Sequence, residues 1–140
     1  TKPRRRPLQI FGRRDFAQHF TTSAALAVAG GDAISKAIGL YKEIDDADGG
    51  SGFSFRDLAA DMAGTEFGNY AVADANKAML LQQRLIGEFD DAALMPSVDG
   101  LEENLSDAEF QRRFGGVGGK RYTQVVEQIE QSVARLPLYR

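Results

Sequence analysis

The sequence predicts an all-α fold: a compact multi-helix bundle with a long irregular connection and a C-terminal amphipathic helix. Apolar residues recur at spacings of three and four along several segments, which is typical of helices with one buried face. No segment alternates apolar and polar residues over the about four to eight positions that a strand requires. The length of 140 residues, with 43% hydrophobic residues and no cysteine, indicates one packed core without disulfides.

The chain divides by charge into a basic arm, residues 1–14, and a single helical domain, residues 15–140. The arm holds six Lys or Arg residues and no acid, whereas the domain holds 20 acidic and 11 basic residues. Pro3 and Pro7 predict that the arm is extended. The acidic domain would repel a polyanion, so the charge pattern argues against nucleic-acid binding. The apolar residues expected to anchor the arm on the domain are Leu8, Ile10 and Phe11.

The first predicted helix begins at an Asp15 N-cap and ends at Gly30. Its apolar stretch, residues 24–31, is much shorter than the about 20 residues that a membrane-spanning helix needs, so we expect no span here. A second helix is predicted over residues 32–45, because apolar side chains recur there at helical spacing. Turn-forming residues fill positions 46–52.

A third helix is predicted to begin after Ser54, because Ser54 and Asp57 have the Ser-x-x-Asp spacing of a capping box. Two alternatives remain for its end. The helix either continues past Gly68, or breaks there and restarts at Asp74. The side chains expected to face inward are those of Phe55, Leu58, Met62 and Phe67.

The C-terminal part is predicted to contain two more helices after an irregular connection over residues 89–105. Ser106 and Glu109 form a second capping box for a short helix that ends at Gly115. The last helix is the most regular of all and stops before Pro137. Its apolar stripe consists of Tyr122, Val126, Ile129, Val133 and Leu136.

Two glycine-rich segments imitate ligand-binding loops without completing them. Residues 46–57 have Asp46 and Asp48 where a calcium-binding EF-hand loop has its first ligands. However, Gly50 offers no side-chain oxygen at the fifth position, and Asp57 replaces the longer Glu at the twelfth. Residues 115–120 lack both the spacing of a phosphate-binding loop and its magnesium-coordinating hydroxyl. We therefore predict a turn and a hinge.

His19 is the only histidine in the chain, so chemistry near neutral pH would most simply depend on it. The acidic candidates beside it are Glu43, Asp57 and Asp61. In the alternative interpretation, His19 is a core residue bonded to a carboxylate, Asp57 only caps its helix, and Asp61 lies on the surface.

Connection lengths favour convergence of these side chains. His19 lies near the start of the first helix, Glu43 near the end of the second and Asp57 at the start of the third. Antiparallel packing of successive helices would bring all three to one end of the bundle. Gly64 and Gly68 continue the stripe of Asp57 and Asp61, and would let a neighbouring helix approach. We expect His19 to contact at least one of the three acids directly or through one water.

Three ordered motifs between Asp15 and about Gly68 support a family resemblance. They are Asp15-x-x-x-His19-Phe, Lys42-Glu43-x-Asp45 and Gly50-Ser-Gly52-Phe-Ser54-x-x-Asp57-Leu-Ala-Ala-Asp61-x-x-Gly64. In this order they resemble the YfiM-like family of small bacterial envelope lipoproteins and are distantly similar to VanZ-like membrane proteins. The resemblance implies a helical bacterial protein located in the periplasm or elsewhere outside the cytoplasm. It also implies that the candidate acids converge on His19, but it implies no reaction. Phe16 departs from the Lys common in that family, and residues 80–140 have no counterpart in it.

Two functions follow as hypotheses, and the sequence leaves open whether the protein is an enzyme. The first is an envelope-associated helical module, whose partner is an envelope or membrane-surface component and whose buried polar network fixes helix register. The second is a metal-dependent hydrolase acting on an envelope lipid or glycan. In that case His19, Glu43, Asp57 and Asp61 are the candidate ligands or catalytic groups, suited to a borderline or hard divalent cation.

Overall fold

A computed structural model of the chain describes residues 2–30, 36, 39, 40, 43 and 52–140. This part of the chain contains six α-helices, a 3₁₀ turn and no strand, so the predicted all-α fold is confirmed. None of the described helices combines the length and the apolar character that crossing a bilayer requires. The helices are α1 (Arg14–Gly30), α2 (Phe55–Ala73), α3 (Ala75–Ile86), α4 (Asp91–Leu94), α5 (Asp107–Phe114) and α6 (Lys120–Ala134), and the 3₁₀ turn is Pro137–Tyr139.

The predicted helix over residues 32–45 is described at four positions only. Lys36, Gly39, Leu40 and Glu43 are helical, and the last of these is fully buried. The other residues of that helix, and the predicted turn up to residue 51, lie outside the described part of the chain.

The basic arm contributes the side chain of Ile10 to the hydrophobic core. Ile10 is buried, and its amide and carbonyl both bond to the backbone of Arg13 in a tight turn. Leu8 and Phe11 are 67% and 38% exposed, so the prediction that they anchor the arm is wrong. The turn leaves room in the core for Ile10 only, while the Phe11 amide donates to the Asp91 carboxylate at 2.8 Å.

Helix α1 begins at Arg14, which places Asp15 in its first turn and corrects the predicted Asp15 N-cap. The reason is an ion pair. The Arg13 guanidinium donates to both carboxylate oxygens of Asp15, at 3.0 and 2.6 Å, and at 2.6 Å to Glu103. The Asp15 carboxylate is therefore bound to a side chain and does not cap the helix.

Helices α1 and α2 pack with their backbones in direct contact. A Cβ atom on Gly64 would lie 2.1 Å from the carbonyl oxygen of Phe20, and one on Gly68 would lie 2.4 Å from that of Ala24. The contacts advance together along both helices, so α1 and α2 run in the same direction. The predicted antiparallel packing of three successive helices likewise requires the first and the third to run in the same direction.

Both alternatives for the end of the third predicted helix are partly right. Helix α2 continues through Gly68 to Ala73, and the chain then restarts as α3. The Asp74 side chain caps α3 by accepting a hydrogen bond from the Lys77 amide at 2.8 Å. Phe67 is half-buried, and its ring packs on that of Phe20 with centroids 5.4 Å apart.

The C-terminal half fixes the start of α2. Phe53 exchanges two backbone hydrogen bonds with Leu105, at 2.7 and 3.0 Å, and its ring stacks on Phe110 at 4.0 Å. Ser106 caps α5 as predicted, because its Oγ accepts from the Glu109 amide at 3.2 Å, and Gly115 ends α5 in the left-handed conformation. The long connection before α5 contains the short helix α4. Helix α6 covers the core with Tyr122, Ile129, Val133 and, just after it, Leu136.

The backbone contact at Gly64 gives the first prediction. We expect Gly64→Ala to lower the free energy of unfolding by about 2–3 kcal/mol, as overpacking does in tight cores, although alanine favours helix formation. Urea denaturation measures the change. Gly87→Ala is the control, because the nearest atom to its added Cβ would be 3.6 Å away. Equal stability of the two variants would contradict the proposed close contact.

Candidate functional site

His19 lies on the buried face of α1. On this face Phe16 lies one turn before His19 and Ser23 one turn after it, and both are buried. The His19 side chain is only 6% exposed. A buried imidazole needs partners for its ring nitrogens, and α2 and Glu43 supply them.

Asp61 is the closest of these partners. Its Oδ1 atom lies 3.0 Å from His19 Nδ1, and the same oxygen accepts a hydrogen bond from the Ser23 hydroxyl at 2.8 Å. The predicted direct contact between His19 and an acid is therefore present. The alternative that Asp61 lies on the surface is wrong, because Gly64, one turn further on, holds α2 against α1 and buries the carboxylate.

Glu43 and Asp57 approach the same imidazole from two sides. Glu43 Oε1 is 3.7 Å from His19 Nδ1, and Asp57 Oδ2 is 3.5 Å from His19 Nε2. All four residues singled out in the sequence therefore meet at one end of the bundle. They come from three separate segments of the chain, which is the convergence that the family resemblance implies.

The capping box of α2 is shared between two segments. The Asp57 amide donates to Ser54 Oγ at 3.0 Å, as the sequence predicts. In a complete box the Asp57 carboxylate would also accept from the Ser54 amide. Here Glu43 Oε2 accepts that hydrogen bond at 3.2 Å, which leaves the Asp57 carboxylate to face His19. Asp57 therefore does more than cap its helix.

Three buried carboxylate oxygens have no hydrogen-bond donor within the described part of the chain. They are Glu43 Oε1, Asp57 Oδ1 and Asp61 Oδ2. Buried acceptors without partners are rare, since each loses its hydration without compensation. Their concentration around one imidazole marks this cluster as a place for protons or a cation.

Burial and mutual repulsion shift the acid–base behaviour of the cluster. Burial, followed by the negative charge of Asp57, raises the pKa of Glu43 to about 8. Burial also raises the pKa of Asp57 to about 6; the His19 charge opposes this, while a hydrogen bond with Asp15 adds to it. For His19, burial lowers the pKa, but the Asp61 hydrogen bond and the surrounding carboxylates outweigh it and the net pKa is raised.

Asp15 links the cluster to the surface. Its hydrogen bonds with Arg13 oppose burial and lower the pKa of the Asp15 carboxyl. Arg13 also binds Glu103, which forms a second ion pair with Arg56, 3.1 Å from its Nε atom; the Arg56 Nε–H donates to the Leu101 carbonyl at 2.8 Å. These ion pairs join the start of α1 to the start of α2 and to the connection before α5. They therefore hold the helix ends that carry His19 and Asp57.

Sequence reasoning missed three polar residues that support the site: Ser23, Ser54 as a donor, and Asp15 as a partner of Asp57. A signal existed for Ser23, because it lies one turn after His19 on the same helical face. The Ser54 amide bond to Glu43 depends on tertiary packing and leaves no sequence signal.

The EF-hand comparison over residues 46–57 falls largely outside the described part of the chain. Asp57, the twelfth position of the EF-hand comparison, faces His19, while Asp46 and Asp48 lie outside the described part of the chain. Gly115, Gly116 and Gly118 have positive φ and form the tight link between α5 and α6. That link was predicted as a hinge.

One nitrogen and two carboxylates of the cluster have the spacing of metal ligands. Ligand atoms of His19, Glu43 and Asp61 all lie within 4.8 Å of one another, and all three residues are buried. A cavity of about 130 Å³ lies beside them, with Asp61 in its lining. Asp61 is therefore the member of the cluster that borders this cavity, since His19, Glu43 and Asp57 are not in its lining.

Comparison with family models, with curated proteins and with solved structures gives no match to this chain. Any functional argument therefore depends on the geometry of the site and on the motifs described above.

The raised pKa of Glu43 predicts how stability varies with pH. Between its ordinary value of 4.5 and about 8, the folded protein binds this proton more tightly than the unfolded chain does. Stability should therefore fall as the pH rises through this window. The raised pKa values of Asp57 and His19 act in the same direction.

We expect the melting temperature of the metal-free protein to decrease from pH 5 to pH 8, and Glu43→Gln to flatten the decrease. Thermal unfolding in the presence of EDTA measures both. Glu88→Gln changes an exposed carboxyl and should keep the wild-type dependence. A wild-type protein that becomes more stable over this range would show that the carboxyls are not buried as described.

Proposed function

We propose that the protein binds one divalent cation between His19 Nδ1 and the carboxylates of Glu43 and Asp61. The spacing of the ligand atoms carries this proposal. Two ligands of a tetrahedral metal, each bonded at about 2.0–2.1 Å, lie about 3.3 Å apart. The distances from His19 Nδ1 are 3.0 Å to Asp61 Oδ1 and 3.7 Å to Glu43 Oε1. A small displacement of these side chains would admit the ion.

The neighbours of the three proposed ligands support the assignment. A metal-bound histidine usually donates its other ring N–H to a carboxylate, which orients the imidazole and strengthens it as a ligand. Asp57 Oδ2 is 3.5 Å from His19 Nε2 and fits that role. The ligating carboxylates are bonded as well, Asp61 by the Ser23 hydroxyl and Glu43 by the Ser54 amide. Glu43 Oε1 has no other donor among the described residues, and Asp61 Oδ1 would keep its bond to Ser23 beside the ion.

The donor set selects among cations. One imidazole and two carboxylates suit the borderline ion Zn²⁺ or the harder Mn²⁺. Ca²⁺ prefers about six to eight oxygen ligands, which three buried side chains do not supply. The electrostatics agree, because three carboxylates around one imidazole carry excess negative charge that a buried site must neutralise.

The proposal extends to location and role. On the YfiM-like resemblance, we propose a bacterial, extracytoplasmic helical module associated with an envelope or membrane-surface component. Its network of His19, Glu43, Asp57 and Asp61 joins segments that are distant in sequence and so fixes the register of the helices. In this proposal the bound cation completes that network.

A metal-dependent hydrolase acting on an envelope lipid or glycan is the second candidate function. The cavity beside Asp61 favours it, because a ligand entering there would reach the proposed ion. A cation with an open position supplies an activated water molecule in such enzymes. Asp57 would then orient the His19 imidazole, and His19 would hold the cation in place beside the substrate.

Calorimetric titration of the metal-free protein with Zn²⁺ and Mn²⁺ tests the proposed centre. We expect one ion per chain. Asp57→Asn should weaken binding about 10–100-fold, as loss of an outer partner does, and Asp61→Asn and Glu43→Gln should weaken it more. Asp99→Asn, on the exposed connection before α5, should bind as the wild type does.

The amide variants keep the shape of the side chains, and far-UV circular dichroism checks that they fold. If the wild type binds neither ion, or if Asp61→Asn and Glu43→Gln bind as tightly as Asp99→Asn, the cation proposal is wrong. The cluster then has the scaffolding role alone.

A further inference from the structure

The cavity beside Asp61 has two chemically different ends. Asp61 and Thr65 are buried residues of α2 in its lining, at 5% and 1% exposure. Lys36 and Glu130, which also line it, are exposed. The cavity therefore leads from the protein surface to the carboxylate proposed as a metal ligand.

The wall between these ends is formed mainly by apolar side chains, together with Tyr122 of α6. Leu58 and Met62 contribute to it from α2, Val126 from α6, and Leu40 from the helical segment that carries Glu43. Leu58 and Met62 are buried, so this surface is part of the core rather than an exposed patch. An occupant would exchange its hydration for contact with hydrocarbon.

The size of the cavity limits its occupant. Its volume is about 130 Å³, and an apolar cavity of about 150 Å³ accepts benzene in a well-studied engineered protein. The space therefore fits an apolar fragment of about six carbons. A sugar ring of similar size would leave hydroxyl groups unpaired against the apolar wall, which costs binding free energy.

The buried end offers one hydrogen-bond acceptor. Asp61 Oδ1 is bound to His19 and Ser23, whereas Asp61 Oδ2 is buried without a donor among the described residues. Asp61 itself lines the cavity, so a hydroxyl group of an occupant would meet this side chain at the buried end. With an ion bound, the same hydroxyl or an ester oxygen could ligate it.

We infer that this cavity binds the short apolar segment of a lipid-like amphiphile, with its polar group at Asp61 and its chain along Leu58, Met62 and Val126. The inference deepens the proposed function, on which its link to the metal centre rests, because it selects lipid over glycan as the substrate class. The apolar side chains of the wall and the acidic side chain of Asp61 at its buried end together favour this occupant.

Titration of the full chain in EDTA, followed by ¹H–¹⁵N NMR, tests this inference with 1-hexanol and N-acetylglucosamine as probes. We expect 1-hexanol to shift the amide signals of Leu58, Met62 and Val126 saturably, and N-acetylglucosamine to leave them unchanged. Val126→Phe should fill the cavity and raise the hexanol dissociation constant at least about tenfold. Val125→Phe, a neighbour outside the cavity lining, is the matched control and should bind as the wild type does.

If Val126→Phe loses helical circular dichroism, Val126→Met fills the same space with a more adaptable side chain and replaces it. Absence of saturable shifts, stronger binding of N-acetylglucosamine, or equal binding by the Val126 and Val125 variants would overturn the inference. The EDTA condition separates it from the metal proposal. Loss of hexanol binding with intact Zn²⁺ binding refutes the cavity alone, whereas hexanol binding without Zn²⁺ binding refutes the metal centre alone.

Discussion

The contact between the backbones of α1 and α2 determines the arrangement of the site. Gly64 and Gly68 have no side chains to separate the two helices, so the carbonyl oxygens of Phe20 and Ala24 approach them directly. At a usual interaxial distance of about 8–10 Å, longer side chains would be needed to bridge the helices. The short carboxylate of Asp61 reaches His19 because this crossing is so close.

The polar cluster of His19, Glu43, Asp57 and Asp61 lies beside the close contact between α1 and α2. Apolar residues on the same helical faces exclude water, and the exclusion makes every unpaired carboxylate oxygen costly. Ser23 and the Ser54 amide compensate some of that cost, but the remaining oxygens need protons or a cation. The ion pairs of Arg13, with Asp15 and Glu103, hold the helix ends that carry the cluster. The site thus depends on glycine, apolar and charged positions that never touch its centre.

Local chemistry made much of the fold predictable. The Ser54 and Ser106 caps and the Gly115 stop follow rules that act within one helical turn. The convergence on His19 could be expected from helix order and from the family resemblance. The role of Asp15 could not be predicted from the sequence, because its partner Asp57 lies on another helix and approaches it only through tertiary packing. The cavity was equally hidden, because its wall forms only when Leu58 and Val126, from different helices, face each other.

The shared cap of α2 couples the site to the backbone. In most helices the first amides are satisfied by a side chain from the same turn, and the helix start is indifferent to distant events. Here the Ser54 amide depends on Glu43, a residue from another segment. A proton or a cation that binds to the Glu43 carboxylate therefore changes the strength of its hydrogen bond with the Ser54 amide, directly before α2. The start of this helix is therefore a built-in reporter of the state of the site, and a route by which that state could reach the Phe53–Leu105 junction next to it.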